Sequence, residues 1–71
     1  MSLRNHSWRD VVKALGKLGF MVKRQSGSHI VMEHPDGRWT MVPRHDPIKV
    51  GTMKSIVEDV GITAEDFAIL L

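Results

Sequence analysis

Apolar residues recur at helical spacing near the start of the chain. Trp8, Val11, Val12, Leu15 and Leu18 form one stripe, and Lys13 and Lys17 lie off it. Ser7 can cap the first turn, Asp10 adds a favourable negative charge there, and Gly19 can take the left-handed conformation that ends a helix. The spacing predicts a helix over about residues 8–18. The period then shortens. FMVKRQ, SHIVMEH and RWTMVP are rich in β-branched or aromatic residues and predict strands at about 20–25, 28–34 and 38–43. Between the last two strands, Pro35 suits a fixed negative φ and Gly37 a positive one. Ser26-Gly27 is a weaker turn signal. Together they predict a three-stranded antiparallel meander, closed by Pro43 and Pro47, with RHDPIK as a loop.

Helical spacing returns at Met53, Ile56, Val57 and Val60, with Thr52 as the expected cap and Gly61 as the stop. Thr63-Ala64-Glu65-Asp66 is a capping sequence ahead of Phe67, Leu70 and Leu71, so a short third helix follows. This pattern is α+β, a three-stranded antiparallel sheet with helices packed on one face and the other face left exposed. The expected core contains Val11, Leu15, Phe20, Val22, Met53, Ile56, Val57 and Phe67.

Seventy-one residues suffice for one domain, expected to span 1–71, with a modest core. The absence of cysteine excludes disulfides and thiolate metal sites. No apolar run approaches membrane-spanning length and the start has no signal-peptide core, so no membrane association and a cytoplasmic location are expected. The net charge of +2 hides an asymmetry: all 10 basic residues lie in 1–54, whereas 55–71 holds four acids and no base. A basic body makes a polyanion such as nucleic acid a candidate partner, although solvated helix faces account for the charge equally well.

Three of the four histidines, His29, His34 and His45, sit in or beside the meander. Their spacing matches no zinc pattern, so no metal site and no cofactor are expected. His34 reads as a turn-entry residue and His45 as a loop residue. His29 is harder to read as scaffold, because a Gly-Ser turn delivers it to the start of an apolar run. An imidazole can exchange protons near neutral pH, and a neighbouring Lys or Arg can hold a phosphate. That pairing suits RNA cleavage through the ribose 2′-OH without a metal. On spacing alone, a surface histidine is the simpler reading, and alternation does not decide whether His29, Val31 and Glu33 or Ile30 and Met32 face outward. Ser28 points away from His29 in an extended strand and more simply shapes the turn. No GK[ST] or GxGxxG phosphate loop occurs. Trp8 and Trp39 could stack on bases, but one core and one cross-strand aromatic explain them more simply.

The motifs GF at 19–20, GSH at 27–29, HPDG at 34–37, VPRH at 42–45 and GTMKSI at 51–56 occur in order and at consistent spacing. In this the chain resembles the HicA (YcfA-like) toxin family of bacterial toxin–antitoxin pairs, from about Val11 to Phe67. The resemblance implies an α-β-β-β-α fold like a double-stranded-RNA-binding domain. It also implies a small ribonuclease that cleaves mRNA and is held in check by a HicB-like antitoxin. His29 of the GSH motif is then the catalytic residue, with Gly27 and Ser28 supporting it. Phosphate contacts by Lys23, Arg24 and Arg44 are inferred from charge. Met32 stands where many relatives carry an aromatic, which weakens any stacking role at that position. The implied chain is a monomer when free and a hetero-oligomer when the antitoxin covers His29. Two other readings remain: a non-catalytic binder of structured RNA, and an interaction module whose acidic C-terminal helix docks a protein.

Overall fold

In the computed structural model, which describes residues 2–71, the chain order is α1 (Trp8–Lys17), β1 (Met21–Ser26), β2 (His29–Glu33), β3 (Trp39–Pro43), α2 (Val50–Val60) and α3 (Ala64–Leu70). The strands form one antiparallel sheet in the order β1-β2-β3, so the expected α+β, α-β-β-β-α arrangement holds, followed by the expected short third helix.

Local chemistry sets most boundaries. The Ser7 hydroxyl accepts from the Asp10 N–H at 3.3 Å and opens α1. Its far end is a Schellman closure: the Gly19 N–H donates to the Gly16 carbonyl and the Phe20 N–H to the Leu15 carbonyl, both at 3.0 Å. Gly19 sits at φ +95, and a Cβ there would lie 3.1 Å from His34 Nε2, so glycine serves both the turn and the packing. Thr63 caps α3 as expected, accepting from the Asp66 N–H at 3.1 Å.

Two expectations are corrected. Thr52 does not cap α2. Lys49 holds that position without a side-chain bond, and the Met53 N–H already reaches the Lys49 carbonyl at 2.9 Å. The cause is tertiary: buried Ile48 anchors the incoming chain, and its N–H donates to the His6 carbonyl, so the helix closes one turn early. Val22 is not in the core but 51% exposed. It pairs with Met32 and faces the helix side, yet α1 and α2 pack against β3, leaving β1 exposed along its length.

The other seven expected core residues are buried, joined by Ala14, Ile30, Met32, Val42, Ile48 and Val60. Alternation along β2 and β3 is therefore resolved. Ile30, Met32, Thr40 and Val42 face the helices, and His29, Val31, Glu33, Trp39, Met41 and Pro43 face outward. Thr40 is the one buried polar residue among those described, and its hydroxyl donates to Asp59 Oδ2 at 3.0 Å.

β1 carries an irregularity that matters for the outer face. Val22 pairs with Met32 and Arg24 with Val31, so Lys23 is an extra residue, a β-bulge. In a regular strand Val22 and Arg24 would share a side. The bulge instead turns Arg24 and Ser26 onto the outer face, beside Val31 and His29.

Candidate functional site

The β1–β2 connection has two residues, Gly27 and Ser28, between the paired Ser26 and His29. Gly27 takes φ +55, the glycine-first pattern of a type II′ hairpin, which matches the twist of the flanking strands. The Ser28 carbonyl accepts from the Arg44 N–H at 2.7 Å, tying this turn to the chain leaving β3. His29 is thereby held at the first position of β2, exposed, and opposite Pro43.

Around it the outer face forms two shallow depressions. One, of about 310 Å³, is lined by Arg24, Ser26, His29, Val31, Trp39 and Met41. The next, of about 410 Å³, continues along the sheet and is lined by Lys23, Arg24, Val31, Glu33 and Trp39. Arg24 and Trp39 belong to both. The three cations expected to hold phosphate are thus not equivalent. Arg24 shares its depression with His29. Lys23 lies at the far end of the strand pair, where its ammonium meets Glu33 at 3.2 Å. Arg44 sits on the other side of the turn, in a depression with Trp8, Arg9, Gly27 and Ser28.

Trp8 is half-buried and carries two guanidinium groups, Arg9 at 4.7 Å and Arg44 at 4.8 Å from its ring centroid. Arg9 was not expected at the site, and its position off the apolar stripe was the only signal. Trp39 opposes Glu33 across the ladder, as a cross-strand aromatic would, but it is 58% exposed. Met32 is buried, so position 32 offers nothing to stack on.

The His34 ring serves the scaffold. The His34 ring packs edge-on against Phe20 with centroids 5.3 Å apart, and its Nδ1 lies 3.1 Å from the Asp36 N–H and 3.0 Å from Asp36 Oδ1. Arg38 Nε donates to Asp36 Oδ2 at 2.8 Å. Its Nη1 donates to the Val60 carbonyl at 2.6 Å, and its guanidinium carbon lies 5.3 Å from the Phe20 centroid. The Arg38 backbone N–H, and then its guanidinium and the nearby His34, hold the Asp36 carboxyl below the usual carboxylate range. The His45 carbonyl accepts the Trp8 N–H at 3.1 Å, positioning the start of α1. Among the described residues no three His, Asp or Glu side chains converge as a metal site would need.

Residues 8–62 match the family model described as the HicA toxin of bacterial toxin–antitoxin systems. The chain belongs to the HicA toxin family. No curated protein matches it. As a HicA-family toxin it is one half of a toxin–antitoxin pair, so an antitoxin partner follows from the family. The family motifs then divide by role in this HicA chain. GF at 19–20 and HPDG at 34–37 meet in one corner through Gly19, Phe20, His34 and Asp36. GTMKSI at 51–56 supplies Met53 and Ile56 to the core. GSH at 27–29 places His29 on the outer face, while Arg44 of VPRH meets Gly27 and Ser28 on the other side of the turn. No helix among the described residues is long and apolar enough to cross a membrane.

Proposed function

We propose that this HicA-family toxin is a metal-independent endoribonuclease that cleaves mRNA, with His29 as its general base and acid. The observation that carries the reading is the exposed imidazole of His29 at a hairpin end tied to Arg44, sharing one depression with Arg24. In this mechanism the imidazole takes the proton from a ribose 2′-OH. The 2′-oxygen attacks the adjacent phosphorus, the bond to the 5′-oxygen breaks, and that oxygen receives the proton back from the imidazolium. The products are a 2′,3′-cyclic phosphate and a 5′-hydroxyl. Arg24 stabilises the charge that builds on the phosphoryl oxygens. Arg44 and Arg9 take neighbouring phosphates across the Gly27-Ser28 turn, and Lys23, already engaged by Glu33, contributes less. Gly27 and Ser28 act by aiming His29.

Such an enzyme needs no cofactor that could be withheld, so control falls to a HicB-like antitoxin that covers His29. Acidic groups on that partner would compete with RNA phosphate for Arg24 and Arg44. The free toxin is then a cytoplasmic monomer and the inhibited form a hetero-oligomer. The decisive test is cleavage of an mRNA by wild-type and His29→Ala protein with EDTA present. The expected result is cleavage by the first and none by the second, with equal thermal midpoints. Binding of RNA without cleavage by the wild type would instead identify a non-catalytic RNA-binding module.

A further inference from the structure

Trp39 presents an indole to solvent at the start of the edge strand β3, on the sheet face that no helix covers. Its neighbours make it more than a stray apolar residue. Arg24 lines both depressions that Trp39 lines, and His29 lines one of them. Glu33, the acid opposite Trp39, is drawn to Lys23 at 3.2 Å, so its charge is partly neutralised. The face therefore offers an aromatic surface, a cation and an imidazole around one depression.

We propose that Trp39 is a stacking platform for a nucleobase and positions single-stranded RNA across the outer face of the sheet. The substrate in this inference rests on the ribonuclease reading. An exposed aromatic beside a cation suits unpaired strands, because every free base has a π-face. Bases within a duplex have both faces occupied, and an A-form helix is read by its shape and backbone instead. Trp39 lies four residues along β3 from Pro43, the partner of His29, which is about 13 Å of strand. The stacked base thus belongs to a nucleotide near the cleaved linkage and not to the one whose 2′-OH reacts. Trp39 is a positioning residue. An antitoxin could also use an exposed indole, but Arg24 and His29 in the same depression favour an anionic ligand with a base attached.

The experiment uses His29→Ala protein and a short, unstructured oligoribonucleotide, with a series in which one nucleotide at a time is abasic. Trp39→Ala should weaken binding roughly tenfold, within the range one base stack supplies. Trp39→Phe should restore most of that loss. One abasic position should cost about as much as Trp39→Ala and should cost nothing further in the Trp39→Ala background. An RNA duplex should compete poorly. Equal abasic penalties in both backgrounds would overturn the proposal, as would a Trp39→Ala defect confined to antitoxin binding. If wild-type protein fails to cleave but the abasic pattern appears, the ribonuclease reading falls and the stacking platform stands. Cleavage by the wild type without that pattern has the opposite meaning.

Discussion

The two faces of the sheet use similar side chains to opposite ends. Met32 and Met41 lie one residue apart in register on neighbouring strands, yet one is buried and the other exposed. On the covered face, Ile30, Met32, Thr40 and Val42 lie beneath α1 and α2, against which α3 packs, and their identities answer to packing. On the outer face, His29, Val31, Trp39 and Met41 meet nothing among the described residues that would require a histidine and a tryptophan. In the proposed function, residues there answer to an RNA substrate instead. Stability and function in this toxin should therefore separate by face.

Mutations test that separation most strongly in the core. Ile56→Ala, in α2 beneath the covered face, should cost about 2–5 kcal/mol in denaturant unfolding, a large share of the stability of so small a domain. Trp39→Ala and His29→Ala should stay within about 0.5 kcal/mol of wild type in the same measurement. A large loss from either would show that the outer face is also structural.

Gly19→Ala comes next, with an expected cost of about 1–3 kcal/mol from the positive φ and the close His34 ring. RNA cleavage per folded molecule should not change, which calorimetry and a cleavage assay together would show. Smaller again is the difference between two neighbouring cations. Arg24→Ala should reduce the slope of log binding constant against log salt by about 0.7, the value for one phosphate contact on a single strand. Lys23→Ala should change the slope less, because Glu33 already holds that ammonium.

The smallest effect is a pH dependence confined to the scaffold corner. The Asp36 carboxyl is held below its ordinary range by Arg38, so ionised Asp36 favours the folded state. Its contribution is present above the ordinary carboxylate range and fades as pH falls through the lowered value, below about pH 4. Asp36→Asn should flatten the acid limb of the stability curve slightly. An unchanged curve would mean that the exposed Arg38 pairing is fully screened by solvent.

What could be read from the chain divides by the range of the cause. The capping by Ser7 and Thr63, the glycine closure of α1 and the His29 position after a Gly-Ser turn are local, and each is as expected. The start of α2 was missed because its cause, the anchoring of Ile48 against residues far back in the chain, leaves no mark near Thr52. Val22 was misplaced because apolar alternation reports which side a residue faces, not whether a helix reaches it. The site was legible only in part. The family motif singled out His29, but the different surroundings of Lys23 and Arg24 depend on a bulge that no local pattern announces. Trp39 could not be told from an ordinary cross-strand aromatic until its exposure was known.

The bulge at Lys23 has a further consequence for how copies of the chain behave together. β1 is an outer edge of the sheet, and a long flat edge would invite a second chain to add a strand and begin an aggregate. The extra residue divides that edge into two short stretches, Met21–Val22 and Arg24–Ser26, with the pairing phase reversed between them. Lys23 and Arg24 also place like charges where two such edges would meet. The irregularity that aims Arg24 at the outer face thus also makes β1 a poor template for a strand from a second chain.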